Sequence, residues 1–224
     1  MTNEAGARSI GLRLGDRRRT PGLTLHSHGG TAFRFDPGAL CLELLLTGGP
    51  GRLARFEVLH EPADLARWAV LSRLPEGLDL TVDEDELATA RAVRDALHMI
   101  AADRANGRPP DAARLAEVSA AAAVPPLGVR FTPHGGRAWA PGATGGQLLS
   151  TVARDAVELF GGPHGDRVRE CATDNCALLF VDTSRPGRRR WCSMERCGNR
   201  HKVRTHRARP ADRSPADPGG GPAV

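Results

Sequence analysis

Apolar residues recur at helical spacing through most of the N-terminal two-thirds of the chain. The clearest stripe has intervals of three and four residues and consists of Leu87, Ala90, Val93, Leu97 and Ile100. Acidic residues crowd the start of this segment and Asn106-Gly107 follows it, as is typical of the two ends of a helix. The pattern therefore predicts a long amphipathic helix over residues 83–106.

The same spacing predicts four more helices and one small hairpin. The helices span residues 40–46, 62–74, 111–122 and 146–160. The hairpin joins residues 129–131 to 137–139, because the intervening Pro133-His134-Gly135-Gly136 has the composition of a turn. Gly161-Gly162-Pro163 then interrupts the periodicity and is a candidate domain boundary. The predicted parts are a flexible leader rich in Gly and Arg at 1–31, a helical domain at 32–162, a further module at 166–209 and a disordered tail at 210–224.

Beyond this boundary, four cysteines follow the spacing C-x4-C-x15-C-x4-C. They are Cys171, Cys176, Cys192 and Cys197. Two close pairs separated by a short segment can place four thiolates around one Zn²⁺ in a tetrahedral shell. Disulfides are the alternative, but no secretory signal is recognisable, so we expect reduced thiols in the cytoplasm. We predict a structural zinc site, because four cysteines leave no coordination position for a catalytic water.

The residues around the cysteines predict a small fold that depends on the metal. The apolar residues 177–181 and the returning residues 189–192 predict a hairpin, with turn residues between them. Asn199 is a candidate N-cap and Pro210 a stop, so residues 200–209 should form a short helix. Knuckle, hairpin and helix suggest a treble-clef-like zinc finger. The predicted fold class is mainly α: a helical N-terminal domain with a small β-hairpin, followed by this finger.

Positive charge is concentrated in the same module. The chain has a formal net charge of +5, from 31 Lys and Arg residues against 26 acids. Residues 166–209 hold twelve of the basic residues and five of the acids, a net charge of +7, which leaves −2 for the rest. A basic module joined to a nearly neutral domain favours a polyanionic partner for the module alone. The candidate nucleic-acid-binding residues are Arg188, Arg189, Arg190, Arg200, Lys202, Arg204, Arg207 and Arg209.

The last predicted helix carries cations around most of its circumference. At about 100° per residue, Arg200, Arg204 and Arg207 share one face, and Lys202 and Arg209 share another. Such coverage suits insertion into a groove or contact along phosphates, and a solubilising basic tail is the alternative. Arg17-Arg18-Arg19 in the leader could also touch nucleic acid, although a solvated run of charge is the preferred interpretation.

The chain shows no recognised catalytic motif. It contains no glycine-rich phosphate loop, nucleophile elbow or zinc-protease helix motif, so we expect no enzymatic activity. Trp68 and Arg94 are candidates for a pocket that binds a small anionic ligand, with an aromatic wall and a fixed guanidinium. The alternative places Trp68 in the core and Arg94 in an internal hydrogen bond.

Residues 170–209 closely resemble the CGNR zinc finger of bacterial proteins. The resemblance rests on the four cysteines and on Leu179-Phe180-Val181-Asp182-Thr183-Ser184-Arg185, Arg190-Trp191-Cys192-Ser193-Met194 and Cys197-Gly198-Asn199-Arg200. The preceding region resembles the helical ABATE domain in its order of helices. It also shares the stretches Asp64-Leu65-Ala66-Arg67-Trp68 and Val93-Arg94-Asp95-Ala96-Leu97. Family members commonly carry Asn where this chain has Leu46 and Ser119, which implies a different ligand, or none, at those positions.

The resemblance implies a transcription regulator connected to stress. Together with the charge pattern, it leads us to expect a cytoplasmic zinc-finger protein that binds DNA, with the helical domain as ligand sensor or scaffold. RNA binding and docking of an acidic protein partner are the alternatives. A small-molecule effector would bind the helical domain. No apolar run approaches the roughly 18 residues of a membrane span, so no membrane partner is expected.

Overall fold

The computed structural model describes residues 22–26 and 30–207, with side chains up to residue 204. Its helices are α1 (Leu40–Leu44), α2 (Pro62–Leu71), α3 (Glu84–Ala105), α4 (Ala112–Ala123), α5 (Gly145–Gly161) and α6 (Asn199–Arg207). Its strands are β1 (Leu23–His26), β2 (Ala32–Phe35), β3 (Leu80–Thr81), β4 (Val129–Phe131), β5 (Arg137–Trp139), β6 (Ala143–Thr144), β7 (Val168–Glu170) and β8 (Leu179–Val181). Short 3-10 helices lie at Leu45–Thr47, Gly51–Phe56 and Gly165–Arg167, and a π-helical turn spans Met194–Gly198. The described region is mainly helical with small two-stranded sheets, which confirms the predicted fold class.

The apolar core is built around α3 and α5. The predicted stripe of α3 is buried throughout, and α5 buries Leu148, Leu149, Val152 and Ala156. α1 packs on α5, and α4 packs on both α3 and α5. The helices predicted in this region are present, with no end shifted by more than three residues, and β4 pairs with β5 in the predicted hairpin. None of the described helices is long and apolar enough to cross a membrane.

α2 ends at Leu71, three residues before the predicted end. Ser72 adopts an extended backbone, and the chain turns toward the buried carboxylate of Glu43. The backbone N–H and the Nε of Arg73 donate to that carboxylate at 2.8 and 3.1 Å. Burial raises the pKa of Glu43, while the positive charge of Arg73 acts in the opposite direction. The requirement to pair a buried acid therefore ends the helix early.

One carboxylate joins the first turns of α3 and α5. Asp83 and Glu86 form a capping box, in which each side chain accepts from the backbone N–H of the other. Glu86 also accepts from the backbone N–H of Gly146 at 2.8 Å. A Cβ at Gly145 would lie 2.8 Å from the Glu86 carboxylate, so glycine permits this approach. The parallel pair of β3 and β6 lies just before the two helices and holds their starts together.

Part of the predicted leader is folded. β1 pairs with β2 in an antiparallel hairpin, and Leu23, Leu25 and Phe35 are buried. The prediction of a flexible leader was therefore wrong for residues 22–26, where alternate positions face the core. Four residues give too short a pattern to separate a strand from a loop. Arg17-Arg18-Arg19 and the predicted tail at 210–224 lie outside the described residues.

The hairpin after the helical region is formed by segments other than those predicted. β8 pairs antiparallel with β7, which precedes the first cysteine, and residues 189–192 are not a strand. Val168 of β7 and Phe180 of β8 are fully buried, and β7 packs on α3. The local pattern pointed to residues 189–192 as the partner of β8, but burial against the helices selected β7.

The apolar core continues across Gly161-Gly162-Pro163, where a domain boundary was predicted. Val168, Phe180 and Val181 belong to the same buried cluster as the helices. The backbone N–H of Val181 donates to the carbonyl of Pro37 at 2.8 Å. The helical periodicity of the sequence therefore stops at these residues, but the packed core does not.

Candidate metal centre and basic surface

Two segments of the chain bring the four cysteines together. Cys171 and Cys176 lie in the connection between β7 and β8, so the strand pair holds their backbones close. Cys192 directly precedes Ser193, whose hydroxyl accepts from the backbone N–H of Arg196 at 3.1 Å. This cap starts the π-helical turn, which returns Cys197 to Cys192.

The helical part of this module begins earlier than predicted. Asn199 was the expected N-cap, but its backbone is already helical (φ −67°, ψ −39°), and the π-helical turn runs directly into α6. The cap is Ser193 instead, because its side chain reaches the free N–H at the start of the turn. A Cβ at Gly198 would lie 2.8 Å from Sδ of Met194, so glycine lets this side chain lie against the backbone of the turn.

The four sulfur atoms fit a single tetrahedral metal site. All four Sγ atoms lie within 4.8 Å of one another. Sγ of Cys192 is 3.8 Å from that of Cys176 and 3.4 Å from that of Cys197. Bonds of about 2.3 Å in a ZnS₄ tetrahedron place the sulfurs about 3.8 Å apart. Disulfide sulfurs are only about 2.05 Å apart, and all four cysteines are free thiols, which agrees with zinc and not with disulfides.

The thiols perturb one another strongly. A hydrogen bond with Cys171 raises the pKa of the Cys176 thiol to about 12. Hydrogen bonds with Cys171 and Cys176 raise the pKa of Cys192 far above its usual value. The pKa of Cys171 is lowered, because Cys176 and Cys192 both donate to its sulfur. Four thiolates this close together repel one another, so a set of four requires a cation to balance their charge.

These residues fit one structural Zn²⁺. Its bonds would tie the loop that contains Cys171 and Cys176 to the π-helical turn that contains Cys197. Cys171, Cys192 and Cys197 are buried and Cys176 is half-buried, which shields the sulfurs from water. Four sulfur ligands complete the shell, so the expected role is structural.

Asp182 organises the loop between the two cysteine pairs. Its Oδ1 accepts from the backbone N–H and the hydroxyl of Ser184, at 3.0 and 2.6 Å. Its Oδ2 accepts from the backbone N–H of Arg189 at 2.8 Å. Burial alone would raise the pKa of Asp182, but these hydrogen bonds and the positive charge of Arg167 lower it. The buried carboxylate thus fixes the path that leads to Cys192. Sequence analysis missed this role, although Asp two residues before Ser is a known turn signal.

Arg189 supports the metal centre from inside the module. Its guanidinium donates to the backbone carbonyls of Trp191 and Cys192, and lies 4.1 Å from the ring centroid of Phe180. Arg189 was predicted to contact phosphates together with Arg188 and Arg190. Nε and one terminal nitrogen are engaged beside Cys192, so Arg189 lies among the groups that position a metal ligand, and its contact with phosphates stays a prediction.

Comparison with known proteins agrees with this arrangement. Residues 38–163 match the ABATE family model, described as "Putative stress-induced transcription regulator", and residues 167–210 match the CGNR zinc finger. The first match covers more than half of the chain. The chain belongs to the ABATE family. No curated protein gives a significant match.

Trp68 and Arg94 of the ABATE region are both engaged within the fold. Trp68 is fully buried, and its Nε1 donates to the backbone carbonyl of Glu43 at 3.3 Å. Arg94 is 2% exposed and donates to both carboxylate oxygens of Glu57, at 2.7 and 2.8 Å. Its Nε also donates to Asp95 at 3.0 Å. These contacts correspond to the alternative interpretation of core packing and internal hydrogen bonding.

The two ABATE positions that differ from the common asparagines lie in different surroundings. Leu46 is buried in the 3-10 helix that follows α1. Ser119 is exposed on α4, where its hydroxyl donates to the carbonyl of Leu115 at 2.7 Å. One position therefore contributes to the core and the other to the surface.

The exposed cations of the CGNR finger lie on two elements. Arg188 and Arg190 are on the loop after β8, and Arg200, Lys202 and Arg204 are on α6. The Arg204 guanidinium is 2.8 Å from the carboxylate of Asp174, in an exposed ion pair. The side chain of Arg207 and the whole of Arg209 lie outside the described part of the chain. The described cations therefore lie on the loop that leads to Cys192 and on the helix that follows Cys197.

Two aromatic contacts complete the finger. The ring centroid of Trp191 is 5.5 Å from that of His201 on α6, and the Arg190 guanidinium is 5.2 Å from the Trp191 ring. Trp191 therefore packs between the loop and the helix. The side chain of Arg200, three residues after Cys197, is exposed. The backbone N–H of Cys192 donates a hydrogen bond to Sγ of Cys171 at 3.4 Å.

Proposed function

We propose that this protein is a transcription regulator whose CGNR finger binds duplex DNA, mainly through contacts between arginine or lysine side chains and phosphates. The observation that carries the proposal is the distribution of charge: residues 166–209 have a net charge of +7 and the rest of the chain −2. Zn²⁺ bound by four thiolates would subtract two from this value, so the finger would keep a net charge of about +5. A strongly basic module of this kind supports binding to a polyanion.

The geometry of the finger suits a rigid basic surface. Zinc would hold the loop of Arg188 and Arg190 in a fixed relation to the start of α6. Arg200 and Arg204 are four residues apart on α6 and so lie on the same face. Fixed cations lose little conformational freedom when they meet phosphates, which favours binding.

The ABATE region acts in this proposal as a scaffold that positions the finger. Two features support that role: β7 of the finger packs on α3, and the guanidinium of Arg94 is already paired with Glu57 and Asp95. A scaffold that shares its core with the finger would orient the basic surface relative to a second bound molecule or copy.

The test is fluorescence anisotropy of the zinc-loaded full chain with labelled duplex DNA over a range of salt concentrations. We expect the logarithm of the binding constant to fall linearly with the logarithm of salt concentration. Arg200→Ala and Arg204→Ala should each reduce that slope by about 0.9 and weaken binding to all duplexes alike. An effect confined to one base pair would identify a base contact instead, worth roughly 1–3 kcal/mol there.

Arg108→Ala is the matched control, because Arg108 is an exposed arginine in the helical region. It should leave the slope unchanged. Zinc content is measured for every variant, so that unfolding of the finger is not mistaken for removal of a phosphate contact. A zinc-loaded chain that shows no salt-dependent association with duplex DNA contradicts the proposal. Association with RNA alone, or with an acidic protein alone, would replace it.

A further inference from the structure

The hairpin of β4 and β5 presents apolar side chains to solvent. Phe131, at 82%, is the most exposed large apolar side chain among the described residues, and Val129 is 59% exposed. The register pairs Val129 with Trp139 and Phe131 with Arg137, so these four side chains share one face of the hairpin. Aromatic residues and arginine are enriched at protein interfaces. The composition and exposure of this face are therefore those of an interaction surface.

One end of the face is anchored to the helical region. Nε1 of Trp139 donates to the backbone carbonyl of Pro75 at 3.0 Å, and the Arg137 guanidinium lies 4.0 Å from the centre of the Trp139 ring. Within the described residues β4 pairs with β5 alone, so the outer edge of β4 is open. Because the hairpin is already ordered, burial of Phe131 against a partner would cost little conformational entropy.

Charges of opposite sign lie in two neighbouring segments next to this face. Residues 125–144 hold two arginines and no acid. Residues 75–90 hold six acids and neither lysine nor arginine. The segments run beside each other, because Trp139 contacts Pro75 and β6 pairs with β3. The surface around the hairpin is therefore divided into a basic part and an acidic part.

The two parts do not neutralise each other within one chain. In the part of the chain that the structure describes, Arg130 and Arg137 form no ion pair, and neither do Glu76 and Asp79. All four of these side chains are exposed. Their charges are therefore available to a partner that carries both signs.

This arrangement of charge selects the partner. A nucleic-acid duplex on the hairpin would be repelled by the adjacent acids of residues 75–90. A second copy of the chain is complementary instead, because a twofold axis sets the same patch against itself in reverse order. The basic part of each copy then meets the acidic part of the other.

We propose that this face forms a twofold-symmetric dimer of the chain. Phe131 and Val129 of both copies make its apolar centre, and the arginines of each hairpin, Arg130 and Arg137, pair with Glu76 and Asp79 of the other copy. The inference goes beyond DNA binding and does not depend on it. Such a dimer carries two fingers, so it would present two basic surfaces to one duplex.

The first experiment is light scattering coupled to size exclusion, on the zinc-loaded full chain without DNA. The mass should be that of two chains and should fall to that of one chain on dilution. Phe131→Ala removes apolar surface from both copies and should weaken the dimer more than tenfold, with the zinc content and melting temperature of the parent. Val157→Ala is the matched control, because Val157 is 49% exposed on α5, and it should leave the dissociation constant unchanged.

Two charge-reversal variants test the complementarity. R130E/R137E makes the basic part acidic, and E76R/D79R reverses the two acids that follow Pro75. Each variant alone should be a monomer, because like charges then meet in both halves of the interface. An equimolar mixture should recover the mass of two chains, because opposite charges meet in both halves of the mixed pair. Recovery in the mixture separates a change of charge from a loss of folding.

A parent that stays a monomer up to about 0.1 mM overturns the proposal. So does a dimer that Phe131→Ala and Val157→Ala weaken equally, or a mixture that stays monomeric although both reversed variants keep the melting temperature of the parent. If the parent is a monomer and Phe131→Ala lowers its affinity for duplex DNA, the face binds nucleic acid, and the dimer fails while the proposed function stands. A dimer that binds no DNA has the opposite meaning: the inference stands and the proposed function fails.

Discussion

The helical region and the cysteine-containing region are stabilised in different ways. The boundary between these two modes of stabilisation lies inside the finger. The helices, together with β7 and β8, bury one continuous apolar cluster. Between residues 183 and 204, by contrast, the members of that cluster are the two predicted zinc ligands Cys192 and Cys197, and Gly198 is also buried. The strand pair of the finger is therefore part of the helical core, and we expect only the segment after it to depend on the metal. A family boundary read from sequence need not be the boundary of a cooperative unit.

Removal of zinc is the strongest way to separate the two regions. A chelator, or Cys192→Ser, should unfold residues 189–207 and abolish DNA binding, because so short a segment cannot fold on apolar burial alone. Structural zinc contributes about 10–16 kcal/mol of apparent binding energy in small fingers. Hydrogen exchange measured by segment should show that protection disappears in α6 and remains in α3 and α5. Disappearance of protection in all three helices would mean that the metal supports the whole core.

Cys41→Ala is the matched control for the cysteine substitution. Cys41 is fully buried in α1 and outside the metal centre, and its backbone N–H donates to Asp155. The variant should still carry one zinc per chain and protect α6. Absence of zinc from this variant would contradict the assignment of the ligands.

Substitution of Arg94 tests the stability of the helical region. Arg94→Ala leaves the carboxylate of Glu57 without its buried partner and should lower the free energy of unfolding by about 3–5 kcal/mol. Urea unfolding followed by tryptophan fluorescence measures the change, and zinc content should remain at one per chain. Arg67→Ala is the control, because the ion pair of Arg67 with Asp64 is half-exposed and worth about 0–1 kcal/mol. Equal effects of the two substitutions would show that Arg94 is not a buried support.

Asp182→Asn should lower the affinity for zinc although Asp182 is not a metal ligand. The amide has one oxygen in place of two, so it cannot accept from both Ser184 and Arg189. We expect a loss of about 1.5–3 kcal/mol, seen as weaker zinc binding in competition with a chromophoric chelator. Ser184→Ala removes one donor and keeps the carboxylate, so its effect should be near 1 kcal/mol. If zinc affinity is the same in Asp182→Asn and the parent, the loop does not position Cys192.

Two glycine-to-alanine substitutions test the contact between the two regions, one at that contact and one away from it. Gly38 has φ +93° and faces Val181, whereas Gly77 has φ +83° and open space around it. Alanine should cost about 1–2 kcal/mol at either site because of the left-handed backbone. Only Gly38→Ala should also reduce hydrogen-exchange protection in β8, because its Cβ would press on Val181. Unchanged exchange in β8 would show that the contact does not couple the two regions.

Sequence analysis predicted the parts of this molecule that depend on spacing. The stripe of α3 and the four cysteines are regular patterns, and each is specified by residues close together in the chain. The errors concern contacts over long distances in sequence. β7, and not residues 189–192, pairs with β8 because β7 is buried against α3. β1 forms because Leu23 and Leu25 are buried in the core. Arg189 has the same sequence signature as Arg188 and Arg190, and only the carbonyls around it distinguish its role.

The position of Cys171 and Cys176 between two core strands has a consequence for the order in which the site is assembled. Because β7 and β8 are held by the helical core, these two thiols remain neighbours even when residues 189–207 are unfolded. An incoming ion therefore meets a preformed pair of ligands, and the loss of chain entropy on closing the site is confined to the short segment that brings in Cys192 and Cys197. We expect release to follow the reverse order, with a chelator removing the metal only after that second segment opens.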